Sequence, residues 1–266
     1  MSNILQVDNL TIKFGGLTAV NEVSFQQQEG EILSLIGPNG AGKTTLFNLL
    51  TGVYTPTYGR ILFKDKNVTG MKAYERAQFG MARTFQNIRL FSSMTVLENV
   101  LAACPLVNRE SILKSVFSWG RSNAQRRAAV EQCEALLEIM GLKGEIDTLA
   151  TNLPYGKQRL LEIARALATG PELLLLDEPG AGMNSVEKEE LSSVISHITG
   201  EMKKNVLIIE HDMKFVMGIS HRILVLDHGA KIAEGPPEEI QKDPQVIKAY
   251  LGSGGVSDSD ESAESF

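Results

Sequence analysis

Residues 37–44 read Gly37-Pro38-Asn39-Gly40-Ala41-Gly42-Lys43-Thr44, directly after the apolar run Ile32, Leu33, Leu35, Ile36 and directly before Leu46, Phe47, Leu49 and Leu50. Strand, glycine-rich loop and helix in that order are what a phosphate-binding P-loop requires. Gly37, Gly40 and Gly42 let the backbone come close to a polyphosphate, while successive N–H groups and the positive end of the following helix point at it. Lys43 is placed to reach the β- and γ-phosphates. The Thr44 hydroxyl is placed to meet a magnesium ion (Mg2+) whose other ligands are mostly phosphate oxygens and water. A plain glycine turn would call for neither the lysine nor the flanking elements. The expected ligand is a nucleotide, with Pro38, Asn39, Ala41 and Thr45 completing the stretch that holds it.

The second half of the chain supplies what a P-loop lacks. Leu173, Leu174, Leu175 and Leu176 are apolar on every side, as a buried parallel strand should be, and the run ends in Asp177 and Glu178. A carboxylate at the tip of a buried strand is costly unless it has a task. Asp177 can hold the hydrated magnesium, and Glu178 can take a proton from the water that attacks the γ-phosphate. Val206 to Ile209 form another apolar strand, followed by Glu210, His211 and Asp212, so the His211 imidazole reaches the same edge, where it can touch the γ-phosphate or orient the water. Met81 to Phe85 reads as a further strand leading to Gln86, an uncharged side chain able to ligate magnesium and to sense the γ-phosphate.

With these residues in order, the chain resembles the ATP-binding subunits of ABC transporters from about Ile4 to Gly252. Gln86 matches that family's Q-loop glutamine, Asp177 its magnesium aspartate, Glu178 its catalytic glutamate and His211 its switch histidine. Asn152 to Arg159, NLPYGKQR, falls where the family has its LSGGQ signature, ahead of a helix expected over Gln158 to Ala168. The resemblance implies an α/β fold: a P-loop NTPase core of ABC type with an antiparallel β lobe and a helical subdomain. It also implies a head-to-tail dimer, in which Pro154, Tyr155 and Gly156 of one subunit close over ATP on the P-loop of the other. Here the chain departs from the pattern. Pro154 replaces the signature serine, Tyr155 a glycine and Lys157 a glutamine, while Gly156 keeps its place and with it a backbone N–H able to approach phosphate. Ala181, Gly182, Met183 and Asn184 stand where the family usually has SALD. The LPYG signature, the RTFQN of Arg83 to Asn87, the IEHDMKFVMGIS run from Ile209 and the DPQVIKAYLG end look like one branch, the larger ATPase of branched-chain amino acid importers.

Composition fits a partner subunit on the cytoplasmic side. The 266 residues are 43% hydrophobic and contain no uninterrupted run of 18 apolar residues. Cys104 and Cys133 lack CxxC spacing and no secretory leader precedes them, which points to reduced thiols in a reducing compartment. A net charge of −6 argues against nucleic acid as a main ligand. The expected location is the inner face of the cell membrane, reached through integral permease subunits.

Along the chain, residues 1–90 should hold the β lobe and the first part of the core, 91–157 a helical subdomain with the signature, 158–251 the rest of the core, and 252–266 an acidic tail. Ile4, Val7 and Leu10, then Val20, Val23 and Phe25, alternate as half-buried antiparallel strands do. Phe14, followed by Gly15 and Gly16, lies where the family stacks an aromatic ring on adenine; the other reading is a core phenylalanine. Thr95 to Glu98 has the form of a capping box and opens the helical part, continued by Val130, Cys133, Leu136, Leu137 and Met140. Ile112 to Trp119, followed by Arg121, Arg126 and Arg127, is amphipathic and basic at one end, and reads either as an insertion packed on its own subdomain or as a membrane-face contact. The tail carries Asp258, Asp260, Glu261 and Glu264 without a positive charge, and removing those four acids takes the formal charge from −6 to −2. Its composition predicts disorder.

The expectation is an ATPase that energises import of branched-chain amino acids. It would act with permeases, a second ABC ATPase that is a paralogue or another copy, and, indirectly, a periplasmic solute-binding protein. The alternatives are import of another small solute such as urea or another amide, export of lipid or lipopolysaccharide, a soluble non-transport ABC ATPase, and a nucleotide-dependent binding module without turnover.

Overall fold

The computed structural model describes residues 2–105 and 119–252. The tail from residue 253 and most of the 106–128 segment lie outside the described residues.

Alternation in the first 30 residues produces two long strands, β1 (Asn3–Phe14) and β2 (Leu17–Gln28), joined by a tight turn at Gly15 and Gly16. They pair antiparallel, and β4 (Tyr58–Phe63) and β5 (Lys66–Asn67) extend them into a four-stranded sheet in the order β2-β1-β4-β5. One face is apolar: Ile4, Val7, Leu10, Val20, Val23 and Phe25 are buried.

The uninterrupted apolar runs make the other sheet. β3 (Ile32–Ile36), β7 (Leu173–Asp177) and β8 (Asn205–Ile209) are buried at every residue, as strands covered on both faces must be. Sheet order is β10-β9-β3-β8-β7-β6, with β6 (Met81–Arg83), β9 (Arg222–Asp227) and β10 (Ala230–Gly235); all neighbours are parallel except the edge pair β9/β10. The order places the P-loop strand β3 between β8 and β9, with β7 one strand further, so the C-terminal ends of β3, β7, β8 and β6 share one edge. In open α/β sheets that edge is where ligands bind.

α1 (Lys43–Leu50) follows the P-loop, and its last carbonyls are held by buried Arg76, from α2 (Ala73–Gln78), which donates to Leu49 O at 2.6 Å and Leu50 O at 2.7 Å. α3 (Val96–Leu101) opens on the expected capping box: Thr95 Oγ1 accepts from Glu98 N and Glu98 Oε2 from Thr95 N. α3, α4 (Trp119–Ile139) and α5 (Tyr155–Ala168) pack together around Val100, Cys133, Leu137 and Leu161. α6 (Ser185–Gly200), α7 (Met213–Ile219), α8 (Pro237–Ile240) and α9 (Pro244–Gly252) complete the order.

Two boundaries differ from the sequence reading. β6 ends at Arg83, not Phe85, because Arg83 and Thr84 turn their polar groups inward to Asp177. α5 starts at Tyr155, not Gln158, and so runs unbroken through the 157/158 division between helical subdomain and core. The cause lies in helix geometry: the first N–H with an intrahelical partner is that of Gln158, which donates to Pro154 O, and the residues before it are helical without such a bond.

Candidate active site

The loop between β3 and α1 is built by contacts only glycine permits. Gly42 has φ +97°, and a Cβ there would sit 2.5 Å from the Ala19 carbonyl of β2. Gly37, at φ +147°, is packed just as tightly against the carbonyl of Leu226 on β9. The loop is thereby clamped between both sheets while Asn39, Gly40 and Thr44 stay exposed and Thr45 half-buried. Lys43 folds over its own loop, donating to Gly37 O at 2.6 Å and Pro38 O at 2.8 Å. Burial pushes its ammonium below the ordinary lysine range, and the nearby Glu178 carboxylate acts in the opposite direction. A buried cation beside backbone N–H groups favours an anion.

Three sequence-predicted side chains meet at the sheet edge. Gln86 Nε2 donates to Glu178 Oε2 at 3.0 Å, and His211 Nδ1 lies 3.9 Å from the same oxygen. Glu178 adopts φ +48°, left-handed for a residue with a full side chain. Its N–H still donates to Ile209 O, which continues the β7/β8 ladder one step past the strand and turns the carboxylate out at the edge. Backbone strain of this kind, about 1–3 kcal/mol, collects at functional sites. Below His211, Glu210 is buried; burial raises its carboxyl above the ordinary range, against the Gly180 and His211 amides that donate to it at 2.7 and 3.1 Å.

Asp177 is buried at the end of β7, with Oδ2 taken by Arg83 at 2.7 Å. Arg83 also donates to Asn48 Oδ1 at 2.7 Å and stacks over Phe47 and Phe85. Within RTFQN nothing in the adjacent sequence marks Arg83 as part of the site. The arginine locks the carboxylate by one oxygen to β6 and α1. Among the described residues no cluster of three His, Cys, Asp or Glu could hold a metal alone. One carboxylate with the Thr44 hydroxyl and the Gln86 amide oxygen is a hard-oxygen set suited to magnesium that brings phosphate oxygens with it.

Phe14 stands at the end of β1, 45% exposed, and is no core residue; its edge meets Tyr54, with ring centroids 5.3 Å apart. Tyr54 escaped the sequence reading, since a tyrosine in a polar turn carries no periodic signal.

The structure does not bring the signature to the P-loop of its own chain. Pro154 is the N-cap of α5, Tyr155 its first residue and Gly156 its second. A Cβ on Gly156 would lie 2.5 Å from Glu187 Oε1 of α6, and the Tyr155 ring abuts Gly182. Gly156 is therefore buried against its own chain, whereas Tyr155 is 45% exposed. The Gly156 N–H expected to approach phosphate thus belongs to a helix N-terminus, which presents its first amides outward.

A nucleotide-clamping loop, an aspartate and a glutamate on the next-but-one strand, and a histidine beside them define a P-loop ATPase. A family model described as ABC transporter matches residues 20–181, and one described as branched-chain amino acid ATP-binding cassette transporter matches residues 230–256. The chain is 46% identical over 249 residues to the high-affinity branched-chain amino acid transport ATP-binding protein LivG of Escherichia coli (strain K12), covering 94% of this chain and 98% of LivG. It superposes on the ADP conformation of MJ1267, an ATP-binding cassette of an ABC transporter, with TM-score 0.82 and 32% identity over 95% of this chain and 100% of that one. A dimeric post-hydrolysis structure of the cassette MJ0796 bound to ADP and Pi gives TM-score 0.70 and 26% identity over 88% and 98%. The chain belongs to the ATP-binding subunits of ABC transporters, and its chemistry is ATP hydrolysis.

Proposed function

We propose that this ATPase energises the import of branched-chain amino acids and that its site residues act as follows. The observation that carries the hydrolytic part is the meeting of Gln86, Glu178 and His211 at the strand edge, within the field of Lys43. Gly37 to Thr45 wrap the phosphates and Phe14 stacks on adenine. Glu178 takes the proton of the attacking water, His211 positions that water against the γ-phosphate, and Lys43 holds the charge that builds on the phosphoryl oxygens. Thr44, Gln86 and Asp177 would hold magnesium, which would supply further neutralisation of phosphate charge.

The branch is supported by the match over residues 230–256, which form β10, α8 and α9 as far as residue 252. This segment packs under the P-loop strand: Val246 and Ile240 share a core with Ile36, the last residue of β3. LivG, similar over nearly its whole length, is named for branched-chain amino acid transport.

Partners follow from the surface. A groove of about 380 Å3 lies between Thr51, Arg83, Phe85 and Arg89 on one side and Ala103, Glu162 and Arg165 on the other, beside the Gln86 segment, and we assign it to a cytoplasmic helix of a permease. Among the described residues no helix is long and apolar enough to cross a membrane, so the chain would sit on the inner face through that contact. The second ATPase would complete each site with its own signature, and the periplasmic solute-binding protein would act through the permeases.

The test is co-expression with the permeases and second ATPase of the same gene cluster, reconstitution into vesicles, and measurement of ATP-dependent leucine uptake with the binding protein present. Uptake that saturates with leucine supports the reading. ATP hydrolysis stimulated instead by a lipid or an amide, with no leucine movement, assigns another cargo.

A further inference from the structure

Arg159 is fully buried, 0% exposed, one turn into α5. Its two terminal nitrogens donate to backbone and side-chain groups from three places, while Nε is buried without a hydrogen-bond partner. Nη1 donates to Phe85 O at 2.8 Å and to Glu162 Oε2 at 3.0 Å; Nη2 donates to Gln86 O at 2.7 Å and to Tyr155 Oη at 3.2 Å. Two consecutive carbonyls of the Gln86 segment are thus held by the fork of one side chain, a geometry that lysine cannot reproduce. The same face of α5 continues the attachment. Glu162, also buried, accepts from Arg89 N at 3.4 Å, and Arg165 donates to Arg89 O while stacking over Phe91.

An ion pair this deep adds little stability over an apolar pair of the same volume, so packing alone does not account for it. What it does fix is geometry. Gln86 is tied at its side chain to Glu178, and at its carbonyl to Arg159. Arg159 in turn touches Tyr155, the exposed first residue of the signature helix, by hydrogen bond and across the ring at 5.8 Å. A displacement of Gln86, when nucleotide fills this chain's own P-loop, cannot leave the α5 tip unmoved without breaking two charge-assisted hydrogen bonds.

We infer that Arg159 is a positioning residue that ties the Gln86 segment to the signature tip, so that nucleotide in one site sets the placement of Tyr155 and Gly156 in the other. The inference rests on the ATPase reading and on sites shared between two subunits. It assigns to Arg159 no contact with nucleotide.

The experiment uses the full chain for nucleotide affinity and the assembled transporter for turnover, with Arg159→Lys, Arg159→Met and the paired Arg159→Met/Glu162→Leu. The pair removes the ion pair without leaving a buried carboxylate uncompensated, and should fold as well as the wild type by thermal unfolding. The expected result is a fluorescent-ATP Kd within about twofold of wild type, since the P-loop is untouched, with kcat lowered at least about tenfold and the ATP dependence less cooperative. Arg159→Lys should fail to restore kcat although it keeps the charge. A folded paired variant with wild-type kcat and cooperativity overturns the inference, as does a loss confined to ATP affinity. A paired variant that does not fold also overturns it, because the ion pair would then serve folding. If the wild-type complex itself shows no ATP turnover, the ATPase reading fails instead, which the same plate of measurements reveals.

Discussion

Glu178 is held in a left-handed backbone at φ +48°, with its carboxylate between Gln86 and His211, and this arrangement sets the sharpest single-residue expectation. Glu178→Gln keeps the size and the contact to Gln86 but cannot take a proton. ATP should bind with near wild-type affinity, and hydrolysis in the assembled transporter should slow by about 100-fold or more, the scale of a positioned general base. Turnover within about a factor of two of wild type would remove Glu178 from that role. The thiols give a residue-scale test of the packing. Cys104 and Cys133 are both fully buried among Val100, Leu137 and their neighbours, as expected of reduced core cysteines. Burial, with the Cys104 thiol beside it, pushes Cys133 up to about 12. A raised thiol pKa means that the folded state holds the proton more tightly than the unfolded one. Its share of stability is therefore intact below the unfolded value near 9 and is lost as pH climbs from there toward 12. At pH 8 neither thiol should react with a charged aromatic disulfide reagent in the native protein, and both should react at once in denaturant; rapid labelling of the native chain would contradict the packing.

At the scale of elements, what was legible follows from periodicity and capping. The leucine run of β7 and the Thr95 capping box could be read directly, because full burial and cap chemistry leave signatures in adjacent residues. The ends of β6 and α5 could not, since a helix start without a side-chain cap looks like loop, and Arg83 looks like a surface charge until its fold partners are known. Arg159 and Glu162 stayed hidden for the same reason: their partners, Phe85 and Gln86 for the arginine and Arg89 for the glutamate, lie more than 70 residues away. The α5 N-terminus now sharpens the signature test. Pro154 provides no side-chain cap, so Pro154→Ser should add one and stabilise the helix by about 0.5–2 kcal/mol. Its effect on turnover should stay within about the 0.5–1.5 kcal/mol of one hydrogen bond. Gly156→Asp should abolish hydrolysis while ATP still binds at Lys43 of the same subunit. Because position 156 also faces Glu187, the variant is to be read beside Gly156→Asp/Glu187→Gln. Recovery of turnover in the double variant would place the damage inside the chain, and persistent loss would place it at the partner's phosphate. Normal hydrolysis by Gly156→Asp alone would show that 152–159 is not the signature.

For the molecule as a whole, the decisive fact is what lies next to the signature within one chain. Tyr155 and Gly156 meet Arg159, Gly182 and Glu187, none of them a residue of the P-loop, and Tyr155 is left facing outward. Lys43 is held on the carbonyls of its own loop, those of Gly37 and Pro38. If residues 152–159 are the signature, a single chain carries two halves of different sites, and neither half alone excludes water around a γ-phosphate. On the proposed reading closure comes from a second subunit, and apposition of two weakly attracted surfaces depends on concentration or on a scaffold that holds them together. The isolated subunit should thus hydrolyse ATP weakly, with specific activity that rises as protein concentration rises. Co-purified with the proposed permeases and second ATPase, it should gain activity that no longer changes on dilution, because the permeases would hold the pair in register. Both curves come from one assay of phosphate release against dilution, run beside sedimentation to fix the oligomeric state. A soluble monomer of full activity, with release strictly proportional to concentration down to high dilution, would mean that one chain closes its own site, and the placement of Tyr155 away from Lys43 would then have to change on binding ATP.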